Sequence, residues 1–231
     1  MYSDTDVGRA LAAAARTMKQ GHSLEENLQQ IVDAARHTVP GFDHVGISTL
    51  RRGGKVETRA CTGDLVRDLD AVQYGLDEGP CVDSLHKAKI VVAPTIRHDQ
   101  RWPRYVPKAV EHGVRAQLAV KLYLDDEGTL GGINFYSTTA EDIDTDAEHI
   151  AELFAAHAAV ALGYARDVDN LNQALRSRQL IGQAIGILME RYDLNEERAF
   201  AFLVRASSHG NTKLRAIAQE LVDQRSSARS P

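Results

Sequence analysis

Cysteine is scarce in this chain. Cys61 and Cys81 are the only two in 231 residues, and their spacing suits neither a disulfide framework nor a zinc site, so a reducing compartment is the default. No apolar run approaches the roughly 18 residues of a membrane span. The start, Met1-Tyr-Ser-Asp-Thr-Asp6, lacks the basic-then-apolar layout of a signal peptide, and a cytoplasmic protein is expected. There is no internal repeat, and no Gly-rich phosphate loop, nucleophile elbow or His-Glu-x-x-His helix. No catalytic residues and no metal site are therefore expected, and the chain reads as a non-enzyme. His37, His44, His86, His98 and His112 fit no zinc pattern. Asp77-Glu78 and Asp125-Asp126-Glu127 read as solvated turns, because catalytic carboxylates need a cleft and an opposing partner.

What remains is an ordinary globular composition, 43% hydrophobic, in a length that permits one large or two modest domains. Residues 7–18 are alanine-rich and helical in pattern. Ser23-Leu-Glu-Glu26 has the form of a capping box opening a helix to about Thr38, with Leu24, Leu28, Ile31 and Val32 as its buried stripe. After Pro40-Gly41 the period changes. His44-Val-Gly-Ile-Ser-Thr-Leu50 alternates, and Gly53-Gly54 turns it into Val56-Glu-Thr-Arg-Ala-Cys61, an antiparallel hairpin. Helices are predicted over 64–74 and 102–112, and strands over 90–92, 116–124 and 130–136. This order implies an α+β fold, an antiparallel sheet with helices to one side.

The last quarter is all helix. Its first helix carries Leu171, Leu175, Ile181, Ile185 and Leu188 at helical spacing, and its second carries Ala199, Phe202, Leu203 and Ala206. Asn195 is the predicted N-cap of the second helix, with Glu196 and Glu197 in the first turn, where negative charge is favoured. Gly210 is predicted to end it in the left-handed conformation. Asn211 or Thr212 then caps a third helix bearing Leu214, Ile217, Ala218, Leu221 and Val222. From Leu171 onward nine Lys or Arg face six Asp or Glu, a net +3 in a chain whose formal net charge is −5. An acidic body with an arginine-rich end points to a polyanion partner for the end alone. Arginines that merely solvate helix faces give the same composition.

The end also resembles a family. Arg178, then Ile181-Gly-Gln-Ala184-Ile-Gly186-Ile-Leu-Met189, Ala199-Phe200, Leu203, Ala206-Ser207 and Asn211-x-Lys213-Leu214-Arg215-x-Ile217-Ala218 are similar to the ANTAR domain of bacterial transcription antiterminators. The resemblance implies binding of paired hexanucleotide hairpin loops in nascent leader RNA. It points to Ala184, Gly186, Met189, Asn211, Lys213 and Arg215, of which the first three are equally suited to close packing. Arg191, Arg198 and Arg205, with Tyr192, add charge and stacking of the kind RNA loops require. Many members carry lysine where this chain has Ile185. The body, with Arg101-Trp-Pro103, Gly113-Val-Arg115-Ala116-Gln-Leu-Ala119, Gly131-Gly-Ile-Asn-Phe135 and a closing helix over 151–161, resembles a GAF domain. That implies a small-molecule pocket between sheet and covering helices, its ligand unknown. The cyclic-nucleotide signature Asn-Lys…Phe…Asp-Glu does not occur. The expected organisation is a helical segment over 1–23, a GAF sensor over 24–165, an ANTAR domain over 166–225 and a disordered tail over 226–231.

Two further features bear on mechanism. Gly79-Pro-Cys81-Val-Asp-Ser84 opens a short helix with Pro80 at its first position. A thiol there can have a lowered pKa, making Cys81 a possible sensor residue, although most free cysteines are small buried hydrophobes. Along 145–191, apolar or small residues recur at steps of mostly three and four. Val160, Tyr164, Leu171, Leu175 and Ile185 would form the seam of a coiled-coil homodimer with one stutter, the earlier part packing on its own sheet. The expected partners are RNA, a second copy of the chain and a small-molecule signal, without a membrane. The alternative is a small-molecule or redox sensor that signals through protein contacts.

Overall fold

The computed structural model describes residues 8, 23–51, 53–125 and 128–227. The helix expected over 7–18 falls outside these residues except at Gly8, as do Asp126 and Glu127 of the acidic turn. The chain divides into two compact units, Met1–Ala165 and Arg166–Pro231.

The first unit opens with α1, Leu24–Thr38, where Ser23 Oγ accepts from Glu26 N and Glu26 Oε2 accepts from Ser23 N, completing the capping box. Strands β1 (His44–Leu50), β2 (Val56–Cys61), β3 (Ile90–Ala93), β4 (Ala116–Leu124) and β5 (Gly128–Ser137) form one antiparallel sheet in the order β2-β1-β5-β4-β3. Gly53 and Gly54, both with positive φ, turn β1 into β2. Gly131 is needed for a different reason: a Cβ there would lie 1.9 Å from the carbonyl oxygen of Ser48 on β1, so only glycine allows this approach.

Strand alternation sends two distinct sets of side chains to the two faces. Val45, Ile47, Leu118, Val120, Leu122, Ile133 and Phe135 join Leu28, Ile31 and Val32 of α1 and Ile150, Ala151, Phe154 and Ala158 of a later helix in one apolar core. The opposite face is covered by α2 (Asp64–Leu76), α3 (Pro80–His86) and α4 (Tyr105–Glu111), with Leu69, Trp102, Tyr105 and Tyr136 in a second core. The expected one-sided layer is thus corrected: helices cover both faces, because both sets of alternating side chains are buried. The helix predicted over 102–112 begins only at Tyr105. Trp102 precedes it, buried, its indole Nε1 donating to Asp83 Oδ2 at 3.1 Å.

Helix α5, Thr145–Tyr192, is 48 residues long and belongs to the first unit at its start and to the second at its end. No described helix is long and apolar enough to cross a membrane. In the second unit, Ala184 and Leu188 of α5 pack with Ala199 and Leu203 of α6 (Glu196–Gly210) and Ala218 of α7 (Leu214–Ser227). Asn195 caps α6, its Oδ1 accepting from Arg198 N at 2.9 Å. Two local expectations are corrected. The left-handed C-cap of α6 is Asn211, with φ of 44°, rather than Gly210, so Asn211 closes α6 instead of capping α7. Phe202 is 43% exposed, because the buried stripe runs through Ala199 and Leu203 and the next position round a helix points about 100° away. Helix α7 runs to Ser227, into the segment expected to be a tail; 228–231 lie outside the described residues.

A buried polar chamber and an exposed cationic surface

The polar face of the sheet is where chemistry collects. Asp70 of α2 is fully buried, and among the described residues no cation is paired with it. Tyr136 Oη donates to its Oδ1 at 2.5 Å and Asn134 Nδ2 at 3.1 Å; Thr58 Oγ1 donates to its Oδ2 at 2.7 Å and Ser48 Oγ at 3.2 Å. A directed chain of donors leads inward. Tyr105 Oη donates to Gln117 Oε1 (2.7 Å), Gln117 Nε2 to Gln73 Oε1 (3.4 Å), and Gln73 Nε2 to Tyr136 Oη (2.9 Å). Tyr74 Oη donates to Ser48 Oγ at 2.5 Å. Burial pushes the Asp70 carboxyl above its ordinary range, against the lowering effect of Tyr136, Thr58, Ser48 and Tyr74. Burial also raises the phenols of Tyr74, Tyr105 and Tyr136 far above theirs, with Asp70 adding to the effect.

Glycines allow close packing on this face. A Cβ on Gly46 would approach Val66 and the Asp70 carboxylate, and one on Gly132 would lie 3.6 Å from Ser84 Oγ and 3.7 Å from Cys81 Sγ. Asn134 Oδ1 is buried without a hydrogen-bond partner. A buried acceptor left unmatched costs free energy until something donates to it.

Cys81 adjoins this network, fully buried, its Sγ 3.6 Å from Tyr74 Oη. Its backbone N donates to Gln73 Oε1 at 2.9 Å. Burial, with the Asp70 charge second, pushes the thiol up to about 12. The lowered pKa expected at a helix start is corrected: desolvation outweighs the terminus of the short helix α3. Asp77 and Glu78 are structural: Asp77 takes the left-handed C-cap of α2, and Glu78 is bound by Arg104 Nε at 2.6 Å. Among the described residues no group of three or more His, Cys, Asp or Glu is arranged to hold a metal ion.

In the second unit the residues expected to face RNA separate into two groups. Ala184 is fully buried in the three-helix core and packs there. Gly186 and Met189 on α5 are exposed, and a Cβ on Gly186 would meet nothing. Arg191, Arg198, Arg205, Asn211, Lys213 and Arg215 are all exposed. Along α5, Val160, Tyr164, Leu171 and Leu175 are 56%, 73%, 62% and 56% exposed. Ile185 differs from them: it is half-buried against the three-helix core and lines a groove with Ile181, Phe200, Glu196 and Glu197.

Residues 21–163 match the family described as GAF domain, and residues 169–222 match the ANTAR domain. The chain belongs to the GAF domain family and carries an ANTAR domain after it. Among curated proteins none matches the chain. Its first unit is similar in fold to the GAF domain of a phosphoenolpyruvate-protein phosphotransferase from Coxiella burnetii (15% identity, TM-score 0.59, covering 73% of this chain and 99% of that one). Free methionine-R-sulfoxide reductase from Neisseria meningitidis, solved in complex with its substrate, is similar at 18% identity and TM-score 0.56, covering 73% and 96%. The chromophore-binding domain of a bacteriophytochrome from R. palustris is similar at 13% identity and TM-score 0.52, covering 72% of this chain; the chain spans 64% of that structure. These likenesses show the fold.

The GAF–ANTAR organisation makes this a regulator with a sensor domain. The residues of the buried network carry a signal in the sequence that periodicity alone did not single out. Gln117, Asn134 and Tyr136 are polar positions on one face of otherwise apolar strands, and Asp70, Gln73 and Tyr74 share a face of α2 at steps of three and four.

Proposed function

We propose that this protein is an RNA-binding transcription antitermination regulator. Its ANTAR unit binds paired hairpin loops in nascent leader RNA, under control of a signal received by the GAF unit. The observation that carries this reading is the exposed cationic set Arg191, Arg198, Arg205, Lys213 and Arg215 on a unit that matches the ANTAR family. The protein works as a homodimer. The exposed apolar residues Val160, Tyr164, Leu171 and Leu175 are covered by the same residues of a second copy, since an apolar stripe of this kind on one helix needs a partner. The signal is a small molecule received by the GAF unit. Its binding alters the pairing of α5, the helix to which both units contribute residues.

The direct test is a mobility-shift titration of the full chain with a two-hairpin leader RNA. Binding should weaken as salt rises, because phosphate contacts release counterions, and should weaken further in the variant Lys213→Ala with Arg215→Ala. Binding indifferent to salt, or unchanged in that variant, would remove the RNA role of this face.

A further inference from the structure

One face of α6 combines charge and aromatic surface in a way the cationic set alone does not explain. Arg198, Phe202, Arg205 and His209 follow one another at steps of four, three and four, so they share a face of the helix, and all are exposed. Tyr192, at the end of α5, stacks on Phe202 with ring centroids 6.3 Å apart and planes 27° from parallel. Both rings stay open to solvent, Tyr192 at 55% and Phe202 at 43%. A shallow depression lined by Phe202, Val204, Arg205 and His209 continues from the pair. Glu196 and Glu197 lie elsewhere, lining the groove with Ile181 and Phe200. Among the described residues neither the Arg198 nor the Arg205 guanidinium is paired with a carboxylate.

We propose that the Tyr192–Phe202 stack is a base-stacking platform, on which an unpaired RNA base lies flat while Arg198 and Arg205 hold the phosphates on either side. The proposal rests on the RNA-binding reading above and specifies how the loop is held. Three physical points favour an RNA base as the occupant. Two rings already stacked lose little further freedom on binding, whereas isolated exposed aromatics must first be ordered. Unpaired bases are gripped by alternating aromatic and cationic side chains, the base on a ring and the phosphate on a guanidinium. Positions 198, 202, 205 and 209 of α6 carry cations beside an apolar plane and no acid, which complements a polyanion. Because every base has a π face, the platform contributes affinity with little preference among bases. Sequence selection must then come from other residues.

The test uses the full chain and a pool of two-hairpin RNAs with randomised six-nucleotide loops, from which binders are selected with the wild-type protein. Each loop position of a selected RNA is then replaced in turn by 2-aminopurine. At one position the wild type should quench the fluorescence, and the four natural bases at that position should bind with similar affinity. Tyr192→Leu with Phe202→Leu should remove the quench and weaken binding by about tenfold or more, the range expected for losing one stacked base. Tyr192→Phe should preserve both. Wild-type affinity and quench in the double leucine variant, with unchanged helical circular dichroism, would overturn the platform. If the double variant loses its helical signal, Tyr192→Trp decides. Its added emission should be quenched when RNA binds, and emission that ignores bound RNA overturns the platform. A wild type that binds no RNA from the pool is a separate result: it removes the RNA-binding reading itself. A wild type that binds while its stack variants behave identically removes only the platform.

Discussion

Tyr136 Oη donates to Asp70 Oδ1 at 2.5 Å, joining the central strand β5 to helix α2 where both side chains are fully buried. The bond ends a chain of donors that begins at Tyr105, and it holds an acid that no cation pairs with among the described residues. Burial favours its protonated form and outweighs the neutral donors around it, which favour the charged one.

That balance sets a pH dependence. Burial raises the Asp70 carboxyl from its ordinary 3.8. Between the ordinary and the raised value the folded state holds a proton that the unfolded chain has released. The contribution of Asp70 to stability is thus fully present below about pH 4 and is lost as pH rises through the folded value. Asp70→Asn, which cannot ionise, should show a flatter profile, the wild type losing stability relative to it as pH climbs. Urea titrations followed by the emission of Trp102, the sole tryptophan and a buried one, measure this. A wild type that instead gains on the variant with rising pH contradicts the raised carboxyl.

Cys81 is predicted to be chemically silent in the folded protein. With its thiol pushed up to about 12, Cys81 holds little thiolate near neutral pH, and both cysteines are buried. Ellman's reagent should react on the timescale of unfolding, at least about a hundredfold slower than with an exposed thiol, and should find both thiols at once in denaturant. Immediate reaction of one native thiol would revive a redox role for Cys81.

Two glycines should respond oppositely to alanine. Gly131→Ala drives a Cβ into the β1 backbone at Ser48 and should destabilise the GAF unit by about 2 kcal/mol or more, as overpacking does. Gly186 sits in helix α5 with open space around it, and Gly186→Ala should stabilise the ANTAR unit by up to about 1 kcal/mol. Thermal melts read by Trp102 emission for the first and by circular dichroism for the second distinguish them. A neutral Gly131→Ala would mean that β1 and β5 do not approach as described.

The exposed seam gives the last prediction. Leu171→Glu with Leu175→Glu places like charges where a second copy would meet the helix, and the mass in sedimentation equilibrium should drop from two chains to one. The fold of each unit should persist, since neither residue belongs to a core. A wild type that is already a single chain at every concentration tested removes the homodimer.

Much of this architecture is legible in the sequence. The capping box at Ser23, the Gly53-Gly54 hairpin, the cap at Asn195 and the period of each strand are local rules, satisfied within a few residues of chain, and each element predicted within the described residues appears close to its place. The two family motifs were legible for the same reason, as residues at set spacings. Phe202 and Asn211 show the margin of such reading. One position round the helix decided whether Phe202 was core or surface, and φ of 44° made Asn211 a closing cap instead of an opening one.

The sequence alone determined that an α+β GAF unit precedes a three-helix ANTAR unit, because periodicity and motif spacing are properties of neighbouring residues. Only the tertiary structure decided what each unit presents. Asp70, Gln117, Asn134 and Tyr136 are far apart in the chain and meet only when the sheet folds against α2. The reactivity of Cys81 depended on what surrounds it more than on the helix start it occupies, since desolvation by distant residues exceeds the effect of one short helix terminus. Tyr192 and Phe202 form a surface only because α5 and α6 turn back on each other at Asp193 and Asn195.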